Sequence, residues 1–228
     1  MKVLIVDNNM DPDSWGAADL QKKVRDHSGV SITVRRAPQG DLPKSPSPFD
    51  KIILSGSRTA ANEEAEWIEK LLIFIRQSLD EKKHVLGVCF GHQALVRALG
   101  GLQSVRRADQ GEFGWSKIDV IQDSPLFQGL GKSFHSFSSH FDEALNAPKG
   151  FKIIAQSRVC PIQAIGSIDA PVFGIQFHPE KDLENAKRAL GRMKKHPQKK
   201  KFLVAPNESD RLFDEKVGRL IFSNFLKL

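Results

Sequence analysis

The sequence is poor in cysteine and contains no long apolar run. Its 228 residues include two cysteines, Cys89 and Cys160. By themselves these cannot supply the four ligands of a structural zinc site, nor can they form the disulfide framework of a small secreted protein. No stretch approaches the roughly 20 apolar residues of a membrane helix, and the apolar residues before Asp7 are too few for a signal peptide. We therefore expect a cytoplasmic protein that does not bind membranes.

The basic charge of the chain is concentrated near its C terminus. Residues 181–228 hold 13 of the 34 Lys and Arg residues but 6 of the 27 Asp and Glu residues, so the first 180 residues, with 21 of each, are neutral. A basic protein raises the hypothesis of nucleic-acid binding. We do not expect it here, because the body of the chain has no excess charge and the C-terminal lysines are not interleaved with aromatic residues.

Apolar runs alternate with helical patterns in the first hundred residues. Residues 3–6, 52–54 and 85–88 are apolar without polar alternation, which is typical of strands buried on both faces of a parallel sheet. Residues 14–27, with Asp13 or Ser14 as a cap, and residues 62–79 have the periodicity of amphipathic helices. This order of elements predicts a doubly wound α/β arrangement.

The pattern changes after Gly100, where most segments favour strands. They are residues 117–121, 134–138, 151–156, 160–165 and 172–177. From Lys181 the chain is predicted to be helical, to break at Pro197 and to end in an amphipathic helix near residues 212–226. We expect one domain over residues 1–228. It is a three-layer α/β fold with a flavodoxin- or Rossmann-like, mostly parallel central sheet, helices on both faces and an additional antiparallel β portion.

Residues 85–95 carry the most specific chemical signal in the chain. An apolar strand runs into Gly-Val-Cys-Phe-Gly at residues 87–91 and then directly into a helical pattern. A sharp strand-to-helix turn of this kind needs small neighbours and presents its central side chain above the sheet, as in a nucleophile elbow. The helix N terminus favours the thiolate form of Cys89. Cys89 is therefore the predicted nucleophile.

A second motif supplies a base and a group to orient it. The strand predicted at residues 172–177 leads into His178-Pro179-Glu180. Alternate residues of an extended chain point to the same side, so His178 and Glu180 are predicted to act together as catalytic base and orienting carboxylate. Taken alone, the motif is equally consistent with a solvated turn. The elbow at Cys89 makes the catalytic interpretation the stronger one because the two motifs are chemically complementary.

These segments resemble the class I glutamine amidotransferases, which use a Cys-His-Glu triad to release ammonia from glutamine. GVCFGHQ at residues 87–93 and FHPE at residues 177–180 match the two most specific motifs of that family without a gap. Weaker landmarks are most similar to the amidotransferase half of GMP synthetases and to stand-alone relatives; they are EFGW at 112–115, SPLFQGL at 124–130 and SHFD at 139–142. The resemblance implies L-glutamine or another γ-glutamyl compound as substrate, with no metal or other cofactor.

The resemblance also implies roles for the residues around the nucleophile. Backbone N–H groups of Phe90 and of the turn at Gly56 and Ser57 would form the oxyanion hole. Gln93 and the backbone of the SHFD segment would hold the α-amino and α-carboxylate groups of glutamine. In that segment the contacts would come from Ser139, His140 and Phe141. In this arrangement His140 is a pocket wall rather than a second base.

Two places in the chain depart from the family's pattern. Ser57 and Arg58 stand where the family has the second Gly and the Pro of its Ser-Gly-Gly-Pro segment. A backbone donor survives at Ser57 only if the φ angle there is negative. Phe141 stands where relatives often have Gly. Both departures indicate a substrate pocket unlike that of the synthetase type.

Three functions remain open at this stage. The leading hypothesis is a glutaminase that passes ammonia to a separate acceptor synthase, since we expect no synthase module in the 48 residues after Glu180. The alternatives are a γ-glutamyl hydrolase or peptidase on the same fold, and a catalytically silent amidotransferase-like binding protein. Residues 186–210 stand out as a basic insertion, interpreted either as a solvated loop or as a docking element for an acidic surface whose lysines do not affect glutamine hydrolysis.

Overall fold

The computed structural model describes residues 1–11 and 17–228, in which ten strands form one sheet. The elements in chain order are β1 (Lys2–Asp7), α1 (Ala18–Arg25), β2 (Ser31–Arg36), β3 (Lys51–Leu54), α2 (Glu66–Asp80), β4 (His84–Val88), α3 (Phe90–Gly100), β5 (Val105–Val120), β6 (Ser133–Ala144), β7 (Phe151–Gln156), β8 (Ala164–Ser167), β9 (Val172–Ile175), α4 (Leu183–Lys194), β10 (Leu203–Val204), α5 (Ser209–Leu212) and α6 (Glu215–Lys227). A 3₁₀ segment, Pro197–Phe202, lies between α4 and β10. The predicted helix cap at Asp13 or Ser14 lies outside the described residues.

The sheet has a parallel half and an antiparallel half. Strands β9, β4, β3, β1 and β2 are neighbours in that order, and all their pairings are parallel. Strand β9 also pairs antiparallel with β8, which continues through β7 to β5, and β5 pairs with β6. The predicted fold class, a mostly parallel α/β sheet with an antiparallel portion, is confirmed.

The central strands are apolar throughout because both of their faces are covered. In β1, Val3 and Ile5 pack on one side with α1 and α6, whereas Leu4 and Val6 pack on the other side with α2 and α3. All four side chains are fully buried. Burial on both faces explains why these strands lack polar alternation, and it sets the three layers of the fold.

Several predicted element boundaries were wrong. Strand β5 begins at Val105, twelve residues before the predicted segment 117–121, and residues 106–110 within it are exposed or half-buried. The strand predicted at residues 160–165 is instead β8, Ala164–Ser167, because the chain before it turns: the N–H of Ser157 donates to the carbonyl of Cys160. Strand β9 ends at Ile175, before His178 and Glu180.

Residues 186–210, predicted as a basic insertion and called the insertion below, pack against the antiparallel half of the sheet. Ala186 and Leu190 of α4 are buried in a small apolar cluster with Trp115 and Phe137 from β5 and β6. Strand β10 adds to β5 in parallel, and Trp115 donates its indole hydrogen to Ser209 Oγ at 2.9 Å. The insertion is therefore an anchored part of the fold, which contradicts its interpretation as a solvated loop. None of the helices in the described ranges has the length and apolar character needed to cross a membrane.

Candidate active site

Three neighbouring strands end at the same edge of the sheet and bring the predicted motifs together. In the parallel registers, Leu54 of β3 pairs with Gly87 of β4, and Val88 of β4 pairs with Ile175 of β9. The N–H of Cys89 donates to the carbonyl of Ile175 at 2.8 Å. The carboxyl ends of parallel strands are where ligands bind in open α/β sheets. The segments that follow β3, β4 and β9 therefore form one site.

Cys89 lies on a tight turn between β4 and α3. Its backbone has φ 51° and ψ −106°, and α3 begins at the next residue, Phe90. A Cβ atom at Gly87 would lie 2.4 Å from the carbonyl oxygen of Gly91, and one at Gly91 would lie 2.4 Å from that of Leu54. Both glycines are thus required by close backbone approach. The Sγ atom of Cys89 lies 3.8 Å from the carbonyl oxygen of Ser139.

His178 and Glu180 form a buried pair beside Cys89. Nδ1 of His178 lies 2.7 Å from Oε1 of Glu180, and both side chains are buried. The pair lies in a turn after β9, so strand alternation was the wrong reason for expecting it. The N–H of His178 donates to the carbonyl of Phe137 in β6 at 2.7 Å, which fixes the turn against the antiparallel half of the sheet.

The electrostatics of this pair favour a charged imidazole. Burial acts to lower the pKa of His178, but the charges and hydrogen bonds of Glu180 and Cys89 outweigh it and raise that pKa to about 10. Burial acts to raise the pKa of Glu180, but the facing imidazolium lowers it below its ordinary range. The arrangement therefore holds a charged imidazole between the carboxylate of Glu180 and the sulfur of Cys89.

The turn after β3 borders both Cys89 and His178. A Cβ atom at Gly56 would lie 3.0 Å from Cε1 of His178 and 3.6 Å from Cβ of Cys89. Ser57 is not among the described non-glycine residues with positive φ, so its backbone has a conformation open to any residue. Asn8 holds the turn from β1, since its backbone N–H donates to Ser55 Oγ and its amide to the Ser55 carbonyl. The Gly-to-Ser departure at position 57 therefore leaves the backbone path intact.

Gln93 is held by two acceptors in the first turn of α3. Its Nε2 atom donates to the carbonyl of Asp142 at 2.8 Å and to Oε1 of Gln176 at 2.9 Å. Both amide hydrogens are therefore used within the protein. The remaining polar atom of the Gln93 side chain is an acceptor, and Gln93 lines the cleft at Cys89.

His140 belongs to a buried network centred on Glu112. Its Nδ1 lies 3.1 Å from the carbonyl of Asp142 and its Nε2 lies 3.2 Å from Oε2 of Glu112. Burial acts to raise the pKa of Glu112, but hydrogen bonds to His140 and to hydroxyl groups, including that of Ser116, lower it. Both ring nitrogens of His140 are therefore engaged by groups other than Cys89. This supports the prediction that His140 is part of the pocket wall and not a second base.

Cys160 adjoins the same network, in which three side chains of types that bind metals lie together. Donor atoms of Glu112, His140 and Cys160 lie within 4.8 Å of one another. The carboxylate of Glu112 already accepts from Ser157 at 3.0 and 3.1 Å and from Gln163 at 2.5 Å. Burial and the neighbouring Glu112 raise the pKa of Cys160 to about 12. The cluster therefore suits a hydrogen-bonded core better than metal ligation, and Cys160 is an inert thiol.

A cleft with two regions opens over Cys89. The inner region, about 450 Å³, contains Cys89 and four predicted substrate-binding residues, which are Gln93, Ser139, His140 and Phe141. The outer region, about 550 Å³, contains His178, Glu180 and the Gly56–Ser57 turn. Both regions share Ser57, Arg58, Phe113, Ser139, Met193 and Lys199. Phe90, the remaining predicted residue, is buried at the start of α3, with its ring stacked on Trp67.

The basic insertion forms one wall of this cleft. Met193, Lys199 and Phe202 line the inner region, and the ring of Phe202 meets that of Phe141 edge-on at 5.1 Å between centroids. The guanidinium group of Arg107 lies over the same Phe141 ring, 5.0 Å from its centroid. The lysines are exposed, as their composition predicted, but Lys199 lies at the site rather than away from it.

Sequence reasoning missed several residues of the site. Asn8, Glu112 and Gln176 act through hydrogen bonds to residues distant in the chain, and the cleft residues Met193 and Phe202 lie in the insertion. The available signals were weak: Gln176 lies two residues before His178, and Glu112 opens one of the secondary landmarks.

Comparison with known proteins bears on the family of the chain. The profile of the family described as "Glutamine amidotransferase class-I" matches residues 19–195. A glutamine-hydrolysing GMP synthase subunit from Methanococcus aeolicus is 39% identical over 113 residues, which is 50% of this chain and 59% of that protein. The corresponding GMP synthase subunit from Saccharolobus solfataricus is 33% identical over 132 residues, or 58% of this chain and 68% of that protein. The chain thus matches about three-fifths of the length of such relatives.

Solved structures show the same fold at lower sequence identity. A glutamine amidotransferase from Thermotoga maritima has a TM-score of 0.80 at 23% identity, over 99% of this chain and 96% of that chain. A glutamine amido transferase from Methylobacillus flagellatus has a TM-score of 0.82 at 20% identity, over 99% of this chain and 94% of that chain.

Proposed function

This chain belongs to the class I glutamine amidotransferases, and from that premise we propose that it hydrolyses the side-chain amide of L-glutamine through a γ-glutamyl thioester on Cys89. The single observation that carries the proposal is the juxtaposition of Cys89, on its strained turn, with the buried His178–Glu180 pair. Glutamine is the substrate that the family name implies.

The first step is attack of the Cys89 thiolate on the γ-carbonyl carbon of glutamine. His178 takes the thiol proton and is stabilised as an imidazolium by Glu180, whose Oε1 accepts the Nδ1 hydrogen at 2.7 Å. The carbonyl oxygen becomes an oxyanion, which the N–H groups of Phe90 and of the Gly56–Ser57 turn would receive. Loss of one such donor typically costs about 10² to 10³ in rate.

The second step is departure of ammonia. His178 donates its Nε2 proton to the leaving nitrogen, the C–N bond breaks, and the γ-glutamyl group remains on Cys89 as a thioester. Water, deprotonated by the same imidazole, then attacks the thioester and releases glutamate. Every proton removed from thiol or water returns to a leaving group, so the triad is regenerated.

Recognition of the amino-acid end belongs to the inner region of the cleft. Both hydrogens of the Gln93 amide bond Asp142 and Gln176, which leaves its Oε1 to accept from the α-amino group of glutamine. The backbone of residues 139–141 would bind the α-carboxylate. Phe141 turns its ring toward Phe202, so its side chain need not occupy the space beside that backbone.

The proposed fate of the ammonia rests on similarity to the relatives and not on the geometry of the site. They are named as one subunit of a glutamine-hydrolysing GMP synthase. By analogy, we propose that this chain delivers ammonia to an acceptor synthase. Hydrolysis of γ-glutamyl compounds without ammonia delivery is the second candidate, favoured by the room and charge of the outer cleft region.

The test is release of glutamate and ammonia from L-glutamine by the purified protein. Cys89→Ala is expected to abolish turnover while leaving a cooperative unfolding transition. Cys160→Ala is the matched control, since Cys160 is the other thiol and is buried away from the cleft. Residual activity above a few per cent in Cys89→Ala would refute the mechanism, and an inactive wild-type protein would favour the silent binding protein.

A further inference from the structure

The outer region of the cleft is lined by three exposed cations, Arg58, Arg192 and Lys199, of which Arg58 and Lys199 also border the inner region. We propose that this region accepts an anionic group on the leaving amine, so that the protein also hydrolyses γ-glutamyl compounds whose leaving amine bears a carboxylate or similar anion. The inference rests on the proposed function, because it uses the same thioester on Cys89.

The position of His178 identifies the outer region as the leaving-group side. The imidazole protonates the departing nitrogen, so that nitrogen must lie against His178 while the γ-glutamyl group lies in the inner region with Gln93. His178 lines the outer region, and Cys89 and Gln93 line the inner one. Ammonia needs little room there, yet the outer region has a volume of about 550 Å³, which is of the size that binds small organic ligands.

Three unpaired cations line this outer region. Arg58, Arg192 and Lys199 are exposed, and within residues 1–11 and 17–228 none of the three forms an ion pair. The other charged groups there have partners: Glu180 bonds His178, and Lys181 bonds Asp19 at 2.8 Å. The described part of the wall thus presents net positive charge beside the scissile bond.

The backbone near Lys199 is held in place by the packing of its segment. Its segment ends at Phe202, whose ring packs against Phe141, and continues into β10, where Leu203 and Val204 pair with Phe113 and Gly114. Met193, which precedes this segment in α4 and borders the same cleft, is buried. A cation carried on this wall attracts an anionic substrate group, whereas it does not attract a departing ammonia molecule.

The proposed reaction balances with water alone. The thiolate displaces the amine H₂N–R from γ-Glu–NH–R, with the proton of His178 going to the leaving nitrogen. Water then releases glutamate and restores the thiol. The added element is the contact between an anion on R and the three cations, which stabilises both the bound substrate and the transition state.

The experiment compares two substrates that differ by one charge. γ-L-Glutamyl-glycine carries a carboxylate on its leaving amine, and γ-L-glutamyl-glycinamide is its neutral counterpart. We expect kcat/KM to be about tenfold higher for the charged compound at low ionic strength, with the ratio falling as salt is added. L-Glutamine is assayed with the same preparation.

Substitutions assign the effect to the cations. Changing Arg58, Arg192 and Lys199 together to Gln is expected to bring the ratio between the two dipeptides close to one. The matched control changes Lys195 and Lys200 to Gln, because these lysines are exposed on the same insertion but line neither cleft region, and should keep the wild-type ratio.

The outcomes separate this inference from the proposed function. Cys89-dependent hydrolysis of L-glutamine with equal kcat/KM for the two dipeptides would overturn the inference alone. Failure of L-glutamine and both dipeptides to react at Cys89 would overturn the proposed function as well. If the control substitutions also bring the ratio of kcat/KM for the two dipeptides close to one, the effect comes from the overall charge of the surface. That result would also contradict the inference.

Discussion

Cys89 adopts a backbone conformation that few residues other than glycine adopt. Its φ of 51° typically costs about 1 to 3 kcal/mol, which the surrounding hydrogen bonds must offset. Its N–H donates to Ile175 in β9, and its carbonyl accepts from Gln93 in α3. The strain directs the side chain out of the sheet edge and into the cleft, whereas Cys160 is buried at a turn and has no such exposure.

His178 and Glu180 are expected to differ in how much they contribute to the proposed reaction. His178→Ala should lower kcat/KM for L-glutamine as severely as Cys89→Ala, because the imidazole takes part in both proton transfers. Glu180→Gln should be about 10 to 100 times milder, since it orients the ring without entering the bond changes. Steady-state kinetics of the three variants measure this, and equal losses for His178 and Glu180 would contradict the assigned roles.

The raised pKa of His178 makes the stability of the protein depend on pH. Burial acts to lower this pKa, but Glu180 and Cys89 raise it from 6.5 to about 10. A group with a raised pKa stabilises the fold fully below its unfolded value and loses that contribution as pH rises through its folded value. The free energy of unfolding of the wild type relative to His178→Gln should therefore shrink between pH 6.5 and about 10. Urea unfolding at both ends of that window tests this, and a difference that grew with pH would argue against the ion pair.

At the scale of elements, the buried central strands were predicted correctly because an uninterrupted apolar run is typical of a strand covered on both faces. Strands β1, β3 and β4 are uninterrupted apolar runs because helices cover both of their faces. The first half of β5 was missed because it contains exposed charged residues such as Arg106 and Arg107, and its partner β6 lies distant in the chain. The contact of Glu112 with His140 depends on that same long-range pairing.

The cleft wall formed by the insertion is expected to affect binding more than chemistry. Phe202→Ala removes the ring that packs on Phe141 and should raise KM for L-glutamine about 2- to 10-fold with kcat within about twofold, since such ring pairs contribute about 0.5 to 1.5 kcal/mol. Lys200→Ala, in the same 3₁₀ segment, is the control. A large fall in kcat with unchanged KM would place this wall in the chemical step.

At the scale of the whole molecule, the fold class could be predicted from the sequence, but the position of the insertion beside Cys89 could not. The lysine run indicates an exposed surface, and the lysines are exposed. The apolar residues that anchor the segment are divided between two elements, with Leu190 and Met193 on one face of α4 and Leu203 in β10, so no single period connects them. Only the folded chain shows that they close a wall beside Cys89.

The central claim is that glutamine is hydrolysed through a covalent intermediate on Cys89. The most direct measurement is mass spectrometry of the protein quenched in acid during turnover of L-glutamine, followed by peptide mapping. We predict the added mass of one γ-glutamyl group on the peptide that contains Cys89, with none on the peptide that contains Cys160 and none in His178→Ala. Turnover of glutamine without any adduct, or an adduct on another residue, would contradict the account.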